Sequence, residues 1–185
     1  MVVFKRAAAE CTEFAARKVR TAMRKIGIVM GSDSDLPVIQ KATDQLKSLG
    51  IPFEVHVYSA HRTPAEARDF AVNARRNGFG AIIAAAGMAA HLAGALAANT
   101  TLPVIGIPCQ GSVLEGMDAL LSTVQMPTGI PVATVAVNGG ANAALLAAQI
   151  LAVEDDGLAA ALDAKRAADA AKVLEKDAGI AERLG

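Results

Sequence analysis

Three short stretches of this chain hold the residue types from which proton transfer and anion binding are built. In VYSAHRTPAE, Val57 to Glu66, His61 and Arg62 stand between an apolar run and a helix-start signal. An imidazole titrates near neutral pH, so His61 can take up or release a proton. The planar guanidinium of Arg62 can hold a phosphate, helped by the Ser59 hydroxyl and the N-terminus of the following helix. In GSDSD, Gly31 to Asp35, Ser32 and Ser34 offer hydroxyls, and the next helix offers free N–H groups that seat an anion. Two carboxylates beside a bound phosphate would repel it. At least one Asp therefore faces a hydrogen-bond donor such as a ribose hydroxyl or an amine; the alternative is that Asp35 only caps the helix. In AAAGMAAHLAGALAA, Ala84 to Ala98, small residues such as Gly87 and Ala90, with Met88 between them, let a backbone approach a ligand closely. His91 lies early in the helix that follows and faces either the pocket or the subunit surface. His56 sits within a strand and is expected to face a helix.

Other chemistries lack their residues. No HExxH or paired-cysteine motif is present, so no metal site is expected. G-x-S-x-G is absent, which removes the nucleophile elbow. GSDSD is followed by no Lys and lacks the dinucleotide glycine pattern. A phosphoacceptor receiver domain would need an Asp at the end of strand three, where Ala85-Ala86 stand, and a Lys after a later strand. Eighteen basic and eighteen acidic residues cancel, leaving no global field for nucleic acid or an anionic membrane. With no Trp and one Tyr, base stacking on single strands has little to work with. Cys11 and Cys109 read as free thiols of a reducing cytoplasm.

The elements that must carry these residues follow from the pattern. Short β-branched runs at 25–30, 53–57, 81–85, 104–108 and 132–137 alternate with helical segments at 36–49, 64–77, 114–125 and 141–152, and with a small-residue helix ending near Asn99. Continuous apolar strands separated by helices imply a parallel sheet covered on both faces. Right-handed crossovers put every strand's C-terminal end, and so all three stretches, on one edge. Gly50 and Gly78 close the first two helices. Thr63, Pro64 and Glu66 read as a capping box with proline in the first turn. The uncharged run Ala81–Ala98 reads as strand, turn and buried helix rather than as a membrane span. Residues 24–152 are thus a five-stranded α/β unit. Residues 1–23 form a basic, weakly amphipathic extension, expected to be a short surface helix or a tail. Residues 153–185 read as one long helix outside the sheet unit, packing on its own domain or on a neighbour in a homo-oligomer.

With these residues placed, the chain resembles the N5-carboxyaminoimidazole ribonucleotide mutase family of purine biosynthesis. The matching stretches are IVMGSDSD, YSAHRTP, AGMAAHLAG, LPVIGIP, ALLSTVQMPTGIPVATVAV and NAALLAAQIL, in order between about Lys25 and Leu151. The resemblance implies a three-layer αβα sandwich of the flavodoxin-like or Rossmann-like kind, assembled as an octamer with active sites where subunits meet. It implies an aminoimidazole ribonucleotide substrate and no cofactor. Ser32 and Asp35 match ligand-binding positions of the first loop, Ser59 and Arg62 match the phosphate-holding positions, and His61 matches the general acid/base. Met88 stands where the commonest pattern has Gly, and Ala93 where it often has Pro. The implied reaction moves a carboxylate from the exocyclic nitrogen to a ring carbon. Two other readings compete: a direct carboxylase using carbon dioxide, and a non-catalytic nucleotide- or flavin-binding module, which would leave His61 without a task.

Overall fold

The computed structural model describes residues 23–111 and 114–184. The expected helix or tail over residues 1–22 lies outside the described residues.

Five parallel strands, β1 (Lys25–Met30), β2 (Phe53–Val57), β3 (Phe79–Gly87), β4 (Val104–Cys109) and β5 (Ala133–Thr134), form one sheet in the order β2-β1-β3-β4-β5. Alternation along the strands feeds two cores. Ile26, Ile28, Ile83, Ile105 and Ile107 point to one face, which α1 (Leu36–Ser48) and α5 (Gly140–Ala152) cover with Ile39, Leu46, Ala143 and Ala147. Val29, Ile82, Ala84 and Val104 point to the other, beneath α2 (Pro64–Ala74) and α3 (Leu92–Ala97). The helix α4 (Met117–Val124) closes that second face near β4. The result is three layers, helix–sheet–helix. The small residues of α5 let it lie close on α1: a methyl on Gly140 would meet the Val38 carbonyl oxygen at 2.1 Å.

Several local expectations are corrected. β2 is an edge strand with Glu54, Val55 and Val57 exposed, because nothing pairs with its outer side. β3 is longer than 81–85, since it runs between two pairing partners. β5 shrinks from 132–137 to two residues at the opposite edge, where one neighbour supports it. The helix expected from Leu114 starts at Met117, after left-handed Glu115 and Gly116 (φ 54° and 89°) break the chain direction. Gly50 follows the end of α1 as expected, whereas α2 stops at Ala74, three residues short of the expected 77, and a turn carries the chain to Gly78; both glycines adopt left-handed backbone (φ 67° and 85°). Beyond the sheet unit, α6 (Asp156–Leu184) anchors through buried Leu158 and half-buried Leu162 against the first core. Its later apolar residues, Val173, Leu174 and Ile180, are exposed. No helix among the described residues is long and apolar enough to cross a membrane.

Candidate active site

Parallel strands end together, so the loops after β1, β2, β3 and β4 share one edge, and the reversal of strand order between β1 and β3 opens a crevice there. The loop after β2 is tightly made. Ser59 Oγ accepts from the backbone N–H groups of His61 and Arg62 (3.3 and 3.2 Å). Thr63 Oγ1 accepts from Ser59 N at 2.8 Å and donates back to Ser59 O at 3.3 Å. The expected capping box is therefore absent: Thr63 makes no side-chain cap to α2, because its hydroxyl is spent on the loop behind it. This four-residue knot leaves the side chains of His61 and Arg62 exposed above the edge.

Arg62 reaches across to the first loop and donates from Nη2 to Gly31 O at 2.9 Å. Gly31, Ser32, Asp33, Val57, Ser59, Arg62 and Thr63 line a cavity of about 510 Å³. In that loop Ser32 caps the short 3-10 turn Asp33–Asp35, its Oγ accepting from Ser34 N at 3.3 Å and donating to Asp33 Oδ1 at 3.1 Å. Asp35 does not cap α1 with its side chain. Burial pushes its carboxyl above the ordinary range, against the opposing pull of hydrogen bonds from the Ser32 backbone and the Cys109 side chain. Cys109, at the end of β4, is buried, and its thiol is pushed up to about 12 by burial and by the Asp35 carboxylate. It is a proton-bearing donor rather than a nucleophile.

The loop after β3 brings His91 to the same edge. Its ring lies 6.2 Å from that of His61 and nearly parallel to it, at 11°. The side chain thus faces the candidate site. It occupies the position just before α3 rather than within it and makes no cap. Met88 adopts left-handed backbone (φ 55°) with its side chain exposed. That conformation suits glycine and costs a thioether side chain about 1 kcal/mol, which gives a physical reason for glycine in the commonest pattern. Ala90 is buried beneath the loop, and Gly87 pairs with Cys109 at the end of the ladder. Ser34 is exposed and lies outside the cavity lining. His56 stacks on Tyr58 (5.0 Å, 7°) and tilts against Phe70 of α2, packed away from the edge as expected.

Two groups escaped the sequence reading. One is Cys109 beside Asp35. The other is an amide chain joining the loops after β4 and β5. Gln110 N donates to Asn138 Oδ1 at 3.0 Å, Asn138 Nδ2 donates to Gln110 Oε1 at 3.2 Å, and Gln110 Nε2 donates to Glu115 Oε2 at 2.5 Å. The Asn-Gly-Gly run after a β-branched segment was the available signal for Asn138, since Asn tolerates left-handed backbone. A larger cavity of about 900 Å³ lies at the opposite edge, lined by Val104, Ala133, Pro131 and Arg75 among others. Its charged group, Arg75, is already bonded to Thr101 there. Its other polar side chains, Asn99 and Thr100, are bonded to the backbone at Ala95 and Leu102.

An αβα sandwich with a 2-1-3-4-5 parallel sheet and a polar crevice at its switch point is a doubly wound, flavodoxin-like class of fold, which takes its ligands at that crevice. Comparison with known proteins narrows it. The AIR carboxylase family profile matches residues 25–172. The chain belongs to that family. It is 52% identical over 153 residues to the N5-carboxyaminoimidazole ribonucleotide mutase of Haemophilus influenzae, covering 82% of this chain and 93% of that one. It is 57% identical over 130 residues to the phosphoribosylaminoimidazole carboxylase of Saccharomyces cerevisiae, covering 70% of this chain. The chain spans about a quarter of the length of the yeast carboxylases it matches. The crystal structure of Treponema denticola PurE superposes with a TM-score of 0.74 at 29% identity, over 83% of this chain and 96% of that one.

Proposed function

We propose that this chain is an N5-carboxyaminoimidazole ribonucleotide mutase, converting that carbamate into 4-carboxy-5-aminoimidazole ribonucleotide in purine biosynthesis. The observation that carries the reading is the meeting of three loops: Arg62 bonded across to Gly31, with His61 beside it and stacked near His91. Arg62 and Ser59 hold the phosphate, and Ser32, Ser34 and Asp35 receive the ribose side. Gly87, Met88, Ala90 and His91 wall the heterocycle. The mutase relatives support the reading because they match this chain over nearly their whole length.

The proton bookkeeping needs one shuttle. As the bond between the exocyclic nitrogen and the carboxyl carbon breaks, carbon dioxide leaves and His61 gives a proton to the nitrogen. The ring carbon then attacks carbon dioxide, forming a C–C bond, and the proton on that carbon returns to His61. A positioned acid/base of this kind contributes about 10²–10⁴-fold in rate. Holding carbon dioxide against the ring contributes as effective molarity.

The same reading makes the protein a cytoplasmic homo-oligomer, expected to be an octamer, with α6 packing on a neighbouring subunit. Met117, Leu121 and Val124 support it: they are exposed along one side of α4, with exposed Leu114 in the loop just before it. Asp118 Oδ1 and Thr134 Oγ1 are shielded oxygens without a partner in the isolated chain.

The yeast relatives' name favours a second reading, direct carboxylation of aminoimidazole ribonucleotide. One assay separates the two. The mutase converts the carbamate with no added bicarbonate; a carboxylase needs bicarbonate and starts from the aminoimidazole. Product formed only from the aminoimidazole with bicarbonate would overturn the mutase assignment.

A further inference from the structure

The amide chain described above completes a ladder that β5 is too short to finish. Two bonds tie this segment to β4: Val135 N donates to Gly106 O at 3.0 Å, and Asn138 N donates to Pro108 O at 2.9 Å. In a parallel sheet the next bond would run from Gln110 N to the backbone carbonyl of Asn138. Asn138 is left-handed (φ 57°), so its carbonyl turns away and accepts from Gly140 N instead. Its side-chain oxygen takes the vacated place and accepts from Gln110 N, while its amide nitrogen holds the Gln110 side chain. Glu115 secures the far end of that side chain.

What this fixes is the start of the loop after β4, which backs the candidate site. Gln110 follows Cys109, the register partner of Gly87. A methyl on Gly111 would meet Met88 at 3.8 Å. The loop after β3, small and held left-handed at Met88, therefore has the Gln110-Gly111 segment as its neighbour, a methyl's width from the Met88 side chain. We infer that Asn138, acting through Gln110 and Glu115, is a positioning residue that keeps the wall of the site closed on carbon dioxide between its release and its recapture. None of the three needs to touch the substrate. The inference rests on the mutase reading, because only a reaction that frees carbon dioxide inside the site makes a leak through this wall visible.

The test uses the full chain and the carbamate substrate labelled in its carboxyl carbon, in unlabelled bicarbonate. Two products are read: labelled carboxy-aminoimidazole ribonucleotide and free aminoimidazole ribonucleotide, after subtracting the enzyme-free loss of the carbamate. Asn138→Gly keeps the left-handed backbone and removes only the side-chain bonds. Loss of two neutral hydrogen bonds loosens the loop about tenfold, and the ratio of free aminoimidazole to labelled product should rise by about that factor. Asn138→Asp keeps the acceptor for Gln110 N and loses the donor, so its leak should fall between the two. Gln110→Leu removes both side-chain bonds of Gln110 but leaves its backbone N–H on Asn138 Oδ1, so its leak should rise above wild type, and the double variant should fall short of the product of the two single effects because both lose the same Asn138–Gln110 amide bond. A leak unchanged in Asn138→Gly and Gln110→Leu, with both folded by circular dichroism, overturns the inference. So does a purely additive double variant. If wild-type protein fails to convert the carbamate at all, the mutase reading fails instead, and the two failures are distinct.

Discussion

Arg62→Ala separates phosphate binding from everything else Arg62 could do. Its guanidinium is exposed and donates to one neutral acceptor, the Gly31 carbonyl at 2.9 Å. The backbone N–H of residue 62 would still reach Ser59 Oγ in the variant, so the loop knot survives. Removing an exposed side chain with one surface bond should change folding stability by less than about 0.5 kcal/mol. The effect on ligand is larger, because a charge-assisted bond contributes about 1.5–3 kcal/mol. The Kd for 4-carboxy-5-aminoimidazole ribonucleotide should therefore rise about 10- to 150-fold, at about 1.4 kcal/mol per factor of ten. The corresponding nucleoside, which lacks the phosphate, should bind wild type and variant alike. Isothermal titration of both ligands against both proteins, at low and at raised salt, makes the comparison. Wild-type affinity for the nucleotide should weaken with salt, and the variant's should weaken less. Equal losses for nucleotide and nucleoside would refute the phosphate role. A large fall in unfolding midpoint would instead show that Arg62 braces the first loop.

His61→Asn should lower turnover about 10²–10⁴-fold while leaving nucleotide affinity nearly unchanged, and turnover near the wild-type rate would remove His61 as the proton carrier. Gly140→Ala should destabilise the fold by more than about 2 kcal/mol in urea unfolding, since the new methyl would meet backbone at 2.1 Å and neither α1 nor α5 can yield cheaply. Asp35→Asn should stabilise the ligand-free protein at pH 7 and weaken its ligand binding. The sign follows from burial. A carboxyl raised in the folded state contributes stability below its unfolded value and loses it as pH rises through the folded value. The gain in melting temperature should vanish once pH falls below the ordinary carboxyl range, where Asp35 is also neutral; a gain that persists there would point to another cause.

Local chemistry decided much of this protein. Apolar runs fixed four of the strands to within a few residues, and Gly50 and Gly78 marked the turns that follow α1 and α2 because few other residues accept left-handed backbone cheaply. The parallel connection rule then places Ser32, Asp35, Ser59, His61 and Arg62 on a shared edge. Orientation was another matter. Whether His91 faces His61, whether Thr63 caps forward or binds backward, and how far β5 extends all depend on neighbours distant in the chain. Gln110 and Asn138 are 28 residues apart, and only the pairing of β4 with β5 and the segment after it brings their loops together. The same holds for Cys109 and Asp35, whose shifted carboxyl arises from burial that no local pattern records. Periodicity and turn chemistry are properties of neighbours along the chain, so the sequence alone carried the fold and the edge. Burial and hydrogen-bond pairing are properties of neighbours in space, so only the tertiary structure decided which side chains meet there.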